Sequence, residues 1–294
     1  MPHEQSTLQP GAAAAAVRPF APADVDAALA LVAESGWNQV AADWRLFLDC
    51  GRGFAIEDAG RVIATAATLP YQGFGWISMV LVAKSHRRQG LATRLLRHCI
   101  ADLRAGGFVP ALDATSAGRT VYRPLGFRDG WAITRWRRDG AAKAFPAAIS
   151  GVTVRSLRDG DWPQILALDA KSFGADRAAI LRGLHDRSRG FACVAERHGR
   201  IAGFLLGREG RLATQLGPIV AADQGLAASL LVLALARVQG PLLLDVLDSH
   251  DALRGQLAAA GFAAERGYTR MALDADPAFG DAATMVAIAG PELA

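Results

Sequence analysis

The segment Met79–Leu103, MVLVAKSHRRQGLATRLLRHCIADL, combines residue types and spacing that could hold an anion. Lys84, His86, Arg87 and Arg88 precede Gln89-Gly90-Leu91-Ala92. A basic glycine turn at a helix start aims free backbone N–H groups, and the positive end of the helix dipole, at one point. A phosphate or pyrophosphate suits that point. Gly90 lets the backbone approach a ligand, and the small Ala92 keeps the wall open. A solvated basic loop joining strand to helix has the same composition, so the surrounding elements must decide between the two.

Met79–Ala83 is an unbroken apolar run, the pattern of a strand covered on both faces. Leu91, Leu95, Leu96, Cys99, Ile100 and Leu103 then recur at helical spacing, with Arg94, Arg97, His98 and Asp102 between them. Upstream, Val17–Phe20 predicts a strand. Pro22-Ala23-Asp24 opens a helix that runs to Ser35 and ends at Gly36, and Asn38 is placed to cap a second helix through Trp44, Phe47 and Leu48. Gly53–Asp58 and Arg61–Leu69 predict a hairpin about Ala59-Gly60, and Trp76–Ala83 the next strand. Downstream, Val109–Ala114 predicts a strand after the stop at Gly106-Gly107. Thr120–Leu125 predicts a short helix closed by Gly126, and Phe127–Arg137 a returning strand.

The pattern then recurs. Val17-Arg18 with Asp24 matches Val154-Arg155 with Asp161, and Phe54…Gly60-Arg61 matches Phe191…Gly199-Arg200. Gly90-Leu91-Ala92 matches Gly225-Leu226-Ala227, and Gly126-Phe127 matches Gly261-Phe262. Four anchors in one order, at offsets of 135 to 139 residues, argue for two copies of one fold. The expected organisation is a flexible tail over 1–16, a first unit over 17–138, a linker over 139–151 and a second unit over 152–294. Thr284–Ala289 could add a last strand. The copies differ where chemistry would need them to agree. Val82 to Gly90 spans eight positions, whereas Val220 to Gly225 spans five, and the residues missing are the basic part of the turn. Tyr122 stands four residues before Gly126, while Leu257 holds the equivalent place before Gly261.

Composition narrows the partners. The chain has 294 residues, 51% hydrophobic and 20% charged, which is globular and long enough for one large domain or two ordinary ones. Lys and Arg total 32 against 28 Asp and Glu, a net charge of +4 with both signs interspersed, so no nucleic-acid surface is expected. Cys50, Cys99 and Cys193 are far apart, odd in number and without a Cys-x-x-Cys pair, which argues against a disulfide framework or a zinc ribbon and fits a reducing cytoplasm. The opening residues lack the pattern of a signal peptide, and no charge-free apolar run of about 18 residues predicts a membrane span.

At these residues the sequence resembles the GNAT acetyltransferases. Their signature, Arg/Gln-x-x-Gly-x-Gly/Ala between a strand and a helix, is met by Arg87-Arg88-Gln89-Gly90-Leu91-Ala92, and their Tyr before Gly-Phe by Tyr122 before Gly126-Phe127. The two-copy layout, with Gly36-Trp37-Asn38, Asp113-Ala114-Thr115 and Ala289-Gly290-Pro291-Glu292-Leu293, resembles a tandem group whose C-terminal half is a YitH-type acetyltransferase domain. The resemblance implies an α/β (α+β) protein of two tandem domains, each a mixed, mostly antiparallel twisted sheet flanked by helices. It implies transfer of an acetyl group from acetyl-CoA to an amine by direct attack in the first domain, without a metal, the second domain being degenerate. A non-catalytic CoA or acyl-CoA sensor stands as the alternative.

The family's roles carry over residue by residue. Backbone groups of Val80, Leu81 and Val82 would hold the pantetheine arm as an added strand would. The N–H groups of Arg87, Arg88, Gln89, Gly90, Leu91, Ala92 and Thr93 would bind the pyrophosphate. Tyr122 would lie near the thioester sulfur, where a phenol of pKa about 10 can hydrogen-bond to or protonate a departing thiolate of pKa about 8.5. A packed aromatic on a short helix is the other reading of Tyr122. Thr115 stands where the family often has Asn, and its hydroxyl can still reach a pantetheine amide. Trp37, Asn38 and Trp44 either line the acceptor pocket or pack the two helices. Glu34, Glu57, Asp113 and the group Asp245, Asp248, His250 and Asp251 are weak candidates for a general base. A small-molecule amine is favoured over a protein as acceptor, with no nucleic acid or membrane, in a monomer or homodimer.

Overall fold

A computed structural model describes residues 16–140, 145, 151–187 and 190–294. Residues 1–15 of the expected tail, and most of the expected linker at 139–151, lie outside the described residues. The first copy runs β1 (Val17–Pro19), α1 (Val25–Glu34), α2 (Ala41–Cys50), β2 (Arg52–Asp58), β3 (Arg61–Pro70), β4 (Phe74–Val82), α3 (Leu91–Ala105), β5 (Val109–Thr115), α4 (Ser116–Tyr122) and β6 (Phe127–Arg138). The second runs β7 (Thr153–Ser156), α5 (Trp162–Phe173), α6 (Ala178–Arg187), β8 (Cys193–Arg197), β9 (Arg200–Arg208), β10 (Thr214–Ala221), α7 (Gln224–Arg237), β11 (Leu242–Leu247), α8 (Asp251–Ala259) and β12 (Ala263–Leu273), and adds β13 (Met285–Ile288). Apart from β13, the second run matches the first element by element.

The two copies do not build separate sheets. Among the described residues, thirteen strands form one sheet in the order β1-β2-β3-β4-β5-β12-β6-β11-β13-β10-β9-β8-β7. Each copy's sixth strand has crossed to the other: β12 pairs antiparallel with β5 and β6, and β6 pairs antiparallel with β11. The same local devices recur on both sides. Arg18 gives Asp24 two hydrogen bonds of 2.7 and 2.8 Å and also reaches Glu57, and Arg155 does the same to Asp161 and Glu196. Glu57 is therefore an anchor of the β1–β2 corner.

Apolar side chains from both copies meet on one face of this sheet. Val32, Trp44 and Phe47 of the first copy belong to the same buried cluster as Ile165, Leu181 and Leu184 of the second. On the opposite face α3 packs Leu91, Leu95, Leu96, Cys99 and Leu103 onto Phe54, Ile56, Ile63 and Ala66, and α7 and α8 form a third cluster. No helix among the described residues is long and apolar enough to cross a membrane.

Two helix starts that border the site differ from the sequence reading. Helix α2 begins at Ala41, and its entry is tied by Val40 N donating to the Asp43 carboxylate at 2.8 Å, so Asn38 is not its cap. Helix α4 begins at Ser116 because Thr115 Oγ1 accepts from Gly118 N at 3.2 Å, a side-chain cap that a hydroxyl supplies well.

Candidate functional site

Strands β4 and β5 run parallel and pair at Phe74–Val109, Gly75–Pro110 and Trp76–Ala111, and then separate. The cause lies in β4. Met79 sits in the left-handed region at φ 53°, where a side-chain-bearing residue is strained by about 1–3 kcal/mol, and the β3–β4 register shifts at this point. The bulge, secured by Thr65 Oγ1 donating to Met79 O at 3.0 Å, turns the end of β4 away from β5. Past Trp76, β4 makes no ladder with β5, so its backbone edge over Val80, Leu81 and Val82 faces an open wedge.

At the top of the wedge lies a cleft of about 530 Å³ lined by Val80, Leu81, Val82, Arg87, Arg88, Gly90, Leu91, Ala92 and Thr93. Gln89 is exposed and is not among the cleft's lining residues. Arg88 (φ 63°) and Gly90 (φ 78°) curl the turn, and Gly90 is the helix N-cap without a side chain to close it. The first α3 backbone bond runs from Arg94 N to Gly90 O, which leaves the N–H groups of Leu91, Ala92 and Thr93 without helical acceptors. The turn is braced from behind: Lys84 N donates to the Glu34 carboxylate, His86 Nε2 lies 3.2 Å from Asp58 Oδ2, and Arg87 Nε donates to Val82 O at 3.2 Å.

Below the wedge, and sharing Trp37 and Val80 with the cleft, lies a cavity of about 240 Å³. Tyr122 and Thr115 face it from the first copy, Tyr268 and Glu265 from the crossed strand β12, and Pro291 and Glu292 from beyond β13. Burial holds the Tyr122 phenol above its ordinary pKa, so it stands protonated, as a donor. Burial pushes Tyr268 up to about 12. Thr115 faces the cavity while its oxygen caps α4, which leaves its hydroxyl proton to offer.

The three proposed pocket residues separate. Trp37 lines the cavity. Asn38 also borders it, but its amide is held at both ends: Nδ2 donates to Ala213 O at 3.0 Å, and Oδ1 accepts from Leu212 N and Ala213 N at 2.8 and 3.0 Å. It ties the two copies together. Trp44 is not in the pocket. It is fully buried and stacked on Phe20 with ring centres 4.5 Å apart, because an α2 face pressed on the sheet takes its largest side chain inward.

The base candidates from the sequence are occupied too. Asp113 has a fully buried side chain and takes two 3.1 Å bonds from Arg270, which lies between Trp76 and Trp131; burial raises its pKa against the pull of that arginine. Asp245 takes Arg135 at 2.7 and 2.8 Å and Gln215 at 3.0 Å. Asp248 accepts from Thr134, and His250 Nε2 lies within 3.2 Å of two backbone carbonyls. Asp251 is paired with Arg254 at 3.1 Å on the opening turn of α8. Among the described residues, no three His, Cys, Asp or Glu side chains converge as a metal would require.

The matching places in the second copy are filled. Strands β10 and β11 also start parallel, at Thr214–Leu242 to Leu216–Leu244, and β13 then enters between them, pairing with both. Gly217, at the β10 bulge, permits this approach, since a Cβ there would lie 2.1 Å from Ile288 O. Helix α7 is closed by its own N-cap: Asp223 accepts from Leu226 N at 2.9 Å and pairs with Arg197 at 2.7 Å. Gly225, matched with Gly90 in sequence, lies inside α7, and an acid occupies the capping position instead.

Gln39, Ser78, Tyr268 and Glu292 were missed as cavity residues. Three come from segments far apart in sequence, and Ser78 lies within β4, where spacing offers no sign of the wedge.

This wedge, turn and paired-copy architecture is that of the GNAT acetyltransferases. Residues 27–127 match the acetyltransferase (GNAT) family, and residues 165–285 match an acetyltransferase (GNAT) domain. The chain belongs to that family and carries its domain twice, a tandem GNAT protein. YitH of Bacillus subtilis (strain 168), described as an uncharacterized N-acetyltransferase, is 25% identical over 240 residues, which cover 81% of this chain and 84% of its own. A presumed acetyltransferase from Pyrococcus horikoshii superposes with a TM-score of 0.79 at 17% identity, over 99% of both chains. A tandem GNAT protein from the clavulanic acid biosynthesis pathway superposes with a TM-score of 0.64 at 17% identity, over 90% of this chain and 99% of its own. The structural likenesses establish a common fold.

Proposed function

We propose that the chain is a cytoplasmic N-acetyltransferase that moves an acetyl group from acetyl-CoA to a small-molecule amine, with the chemistry run in the first copy. One contrast carries this reading. In the first copy an uncapped turn leads along an open wedge to a cavity bearing Tyr122; in the second, Asp223 and β13 occupy the turn and the wedge.

The first copy fits acetyl-CoA on its own terms. The N–H groups of Leu91, Ala92 and Thr93, with Arg87 and Arg88 beside them, suit the pyrophosphate. The Val80–Val82 edge, unpaired with β5 and with only the Val82 carbonyl taken by Arg87, suits the pantetheine amides as a strand partner. That path delivers the thioester to where the cleft meets the cavity. The cavity's modest volume and its closure by both copies suit a small acceptor. A neutral amine attacks the carbonyl carbon, and the C–S electron pair leaves on sulfur. Tyr122, protonated and facing the cavity, is the donor to that sulfur.

Acetyl-CoA at a hundred times its Kd is expected to stabilise the wild type by about 2.7 kcal/mol. Gly90→Val, which puts a branched side chain at φ 78° on the turn, is expected to lose that stabilisation, and an equal thermal shift in both proteins refutes the turn assignment. Tyr122→Phe is expected to keep the shift and lose about tenfold to a hundredfold in kcat with amine acceptors, near the lower end for an acid because a thiolate leaves readily. Tight binding with no amine-dependent thiol release would instead identify a sensor.

A further inference from the structure

Three carboxylates line the 240 Å³ cavity: Asp113, Glu265 and Glu292. Asp113 gives both oxygens to Arg270. Glu265 has an arginine at each oxygen, Arg266 at 3.4 Å and Arg137 at 3.8 Å. Glu292 differs. Its Oε1 is held by Arg208, while Oε2 is buried without a hydrogen-bond partner in a residue only 3% exposed.

The chain fixes this carboxylate closely. Pro291 O accepts from Trp76 Nε1 at 2.9 Å, Leu293 O accepts from Tyr71 OH at 2.9 Å, and Ala289 O accepts from Arg208 Nη1 at 2.6 Å. Gly290 has no side chain to interfere, and a Cβ there would lie 3.0 Å from both Glu292 oxygens. Arg208 is shared with Asp43, 3.0 Å away, and Asp43 in turn takes Arg187 at 2.7 Å, so the cluster balances two guanidiniums against two carboxylates. Two more buried atoms without partners belong to residues lining the same cavity, Gln39 Oε1 and Ser78 Oγ. Gln39 Oε1 and the Glu292 carboxylate oxygen Oε2 are acceptors for hydrogen bonds from a ligand. The ligand that satisfies them presents several N–H donors, as a primary ammonium does.

We infer that the acceptor is a primary ammonium docked on Glu292, and that Glu292 Oε2 takes its first proton. This rests on the transferase reading above and names the base for it: the second copy supplies the proton acceptor for a reaction run on the first. The ammonium gives one proton to Glu292 Oε2, and the freed nitrogen pair bonds to the thioester carbonyl carbon while the carbonyl pair moves to oxygen. The adduct collapses, the C–S bond breaks with its electron pair going to sulfur, and Tyr122 protonates that sulfur. The adduct nitrogen sheds a second proton, which replaces the one Tyr122 gave. The proton on Glu292 passes to water. In sum, ammonium and thioester become amide, thiol and one free proton.

The test measures acetyl-CoA-dependent thiol release by the full chain with two kinds of probe: small primary alkylamines, which are ammonium ions at pH 7, and hydroxylamine, which is already neutral. Glu292→Gln is expected to cut kcat/KM for the alkylamines about a hundredfold, to change that for hydroxylamine less than about threefold, and to keep the acetyl-CoA thermal shift. Glu292→Asp keeps a carboxylate for Arg208 and is expected to fall between wild type and Glu292→Gln on alkylamines. It carries the comparison if Glu292→Gln fails to fold. Equal losses on both probes, or no loss, in a folded variant overturn the assignment and leave the transferase reading intact. Wild type that releases no thiol with any amine overturns both.

Discussion

Asp24 and Asp161 hold equivalent corners of the two copies, and each takes a forked arginine from six residues upstream. Those hydrogen bonds hold both carboxyls below the ordinary value of 3.8. A folded-state value below the unfolded one adds stability above about pH 4 and loses it as pH falls through the folded value. Asp24→Asn and Asp161→Asn are thus expected to melt a few degrees below wild type at pH 7, with the gap closing toward pH 3, as thermal denaturation across that range would show. At this scale the sequence was legible where a residue's role depends on neighbours in the chain. Gly90 borders the cleft and Tyr122 the cavity because local turn chemistry puts them there. Asn38, Trp44 and Glu292 were not legible, because their partners lie elsewhere in the chain: Ala213 for Asn38, Phe20 for Trp44 and Arg208 for Glu292.

Helices α3 and α7 hold the same station after the fourth strand of each copy, yet they open differently. Gly90 leaves the start of α3 unclosed, while Asp223 closes α7 with its own carboxylate. Titration calorimetry is expected to count one acetyl-CoA per chain. Asp223→Ser should leave the count at one, because β13 still fills the second wedge. Asp223→Ala should cost about 1 kcal/mol for the lost cap. A count of two in either variant would show that the second wedge can open. The elements themselves read well from periodicity and turn residues, down to the closing strand expected at Thr284–Ala289 and found at Met285–Ile288. Its position between β10 and β11 had no local sign, since strand pairing is decided by edges distant in sequence.

At the scale of the whole molecule, the repeat was visible as matched anchors, but the exchange of β6 and β12 was not. Each strand carries the same pattern whichever neighbours receive it. The exchange makes one cooperative body of two copies, with α1, α2, α5 and α6 on a common apolar cluster. Calorimetry of the full chain is expected to show a single unfolding transition. Residues 17–138 produced alone should aggregate or remain molten, because β5 and β6 lose the strand that lies between them and expose unpaired edges. A monomeric, sharply melting fragment would contradict this.

The crossed strand also sets a timetable for synthesis. When β5 leaves the ribosome, its neighbour β12 has yet to be made, and the chain adds residues 116–262 before that strand begins. At 5–20 residues per second this interval lasts about 7–30 s. During it the nascent first copy carries an open wedge on one side of β5 and an unpaired strand edge below, so the period of greatest exposure to misassembly falls between two well-formed repeats and not at either end. Slowing translation across residues 116–262 should therefore lower the soluble yield more than the same slowing upstream of β5.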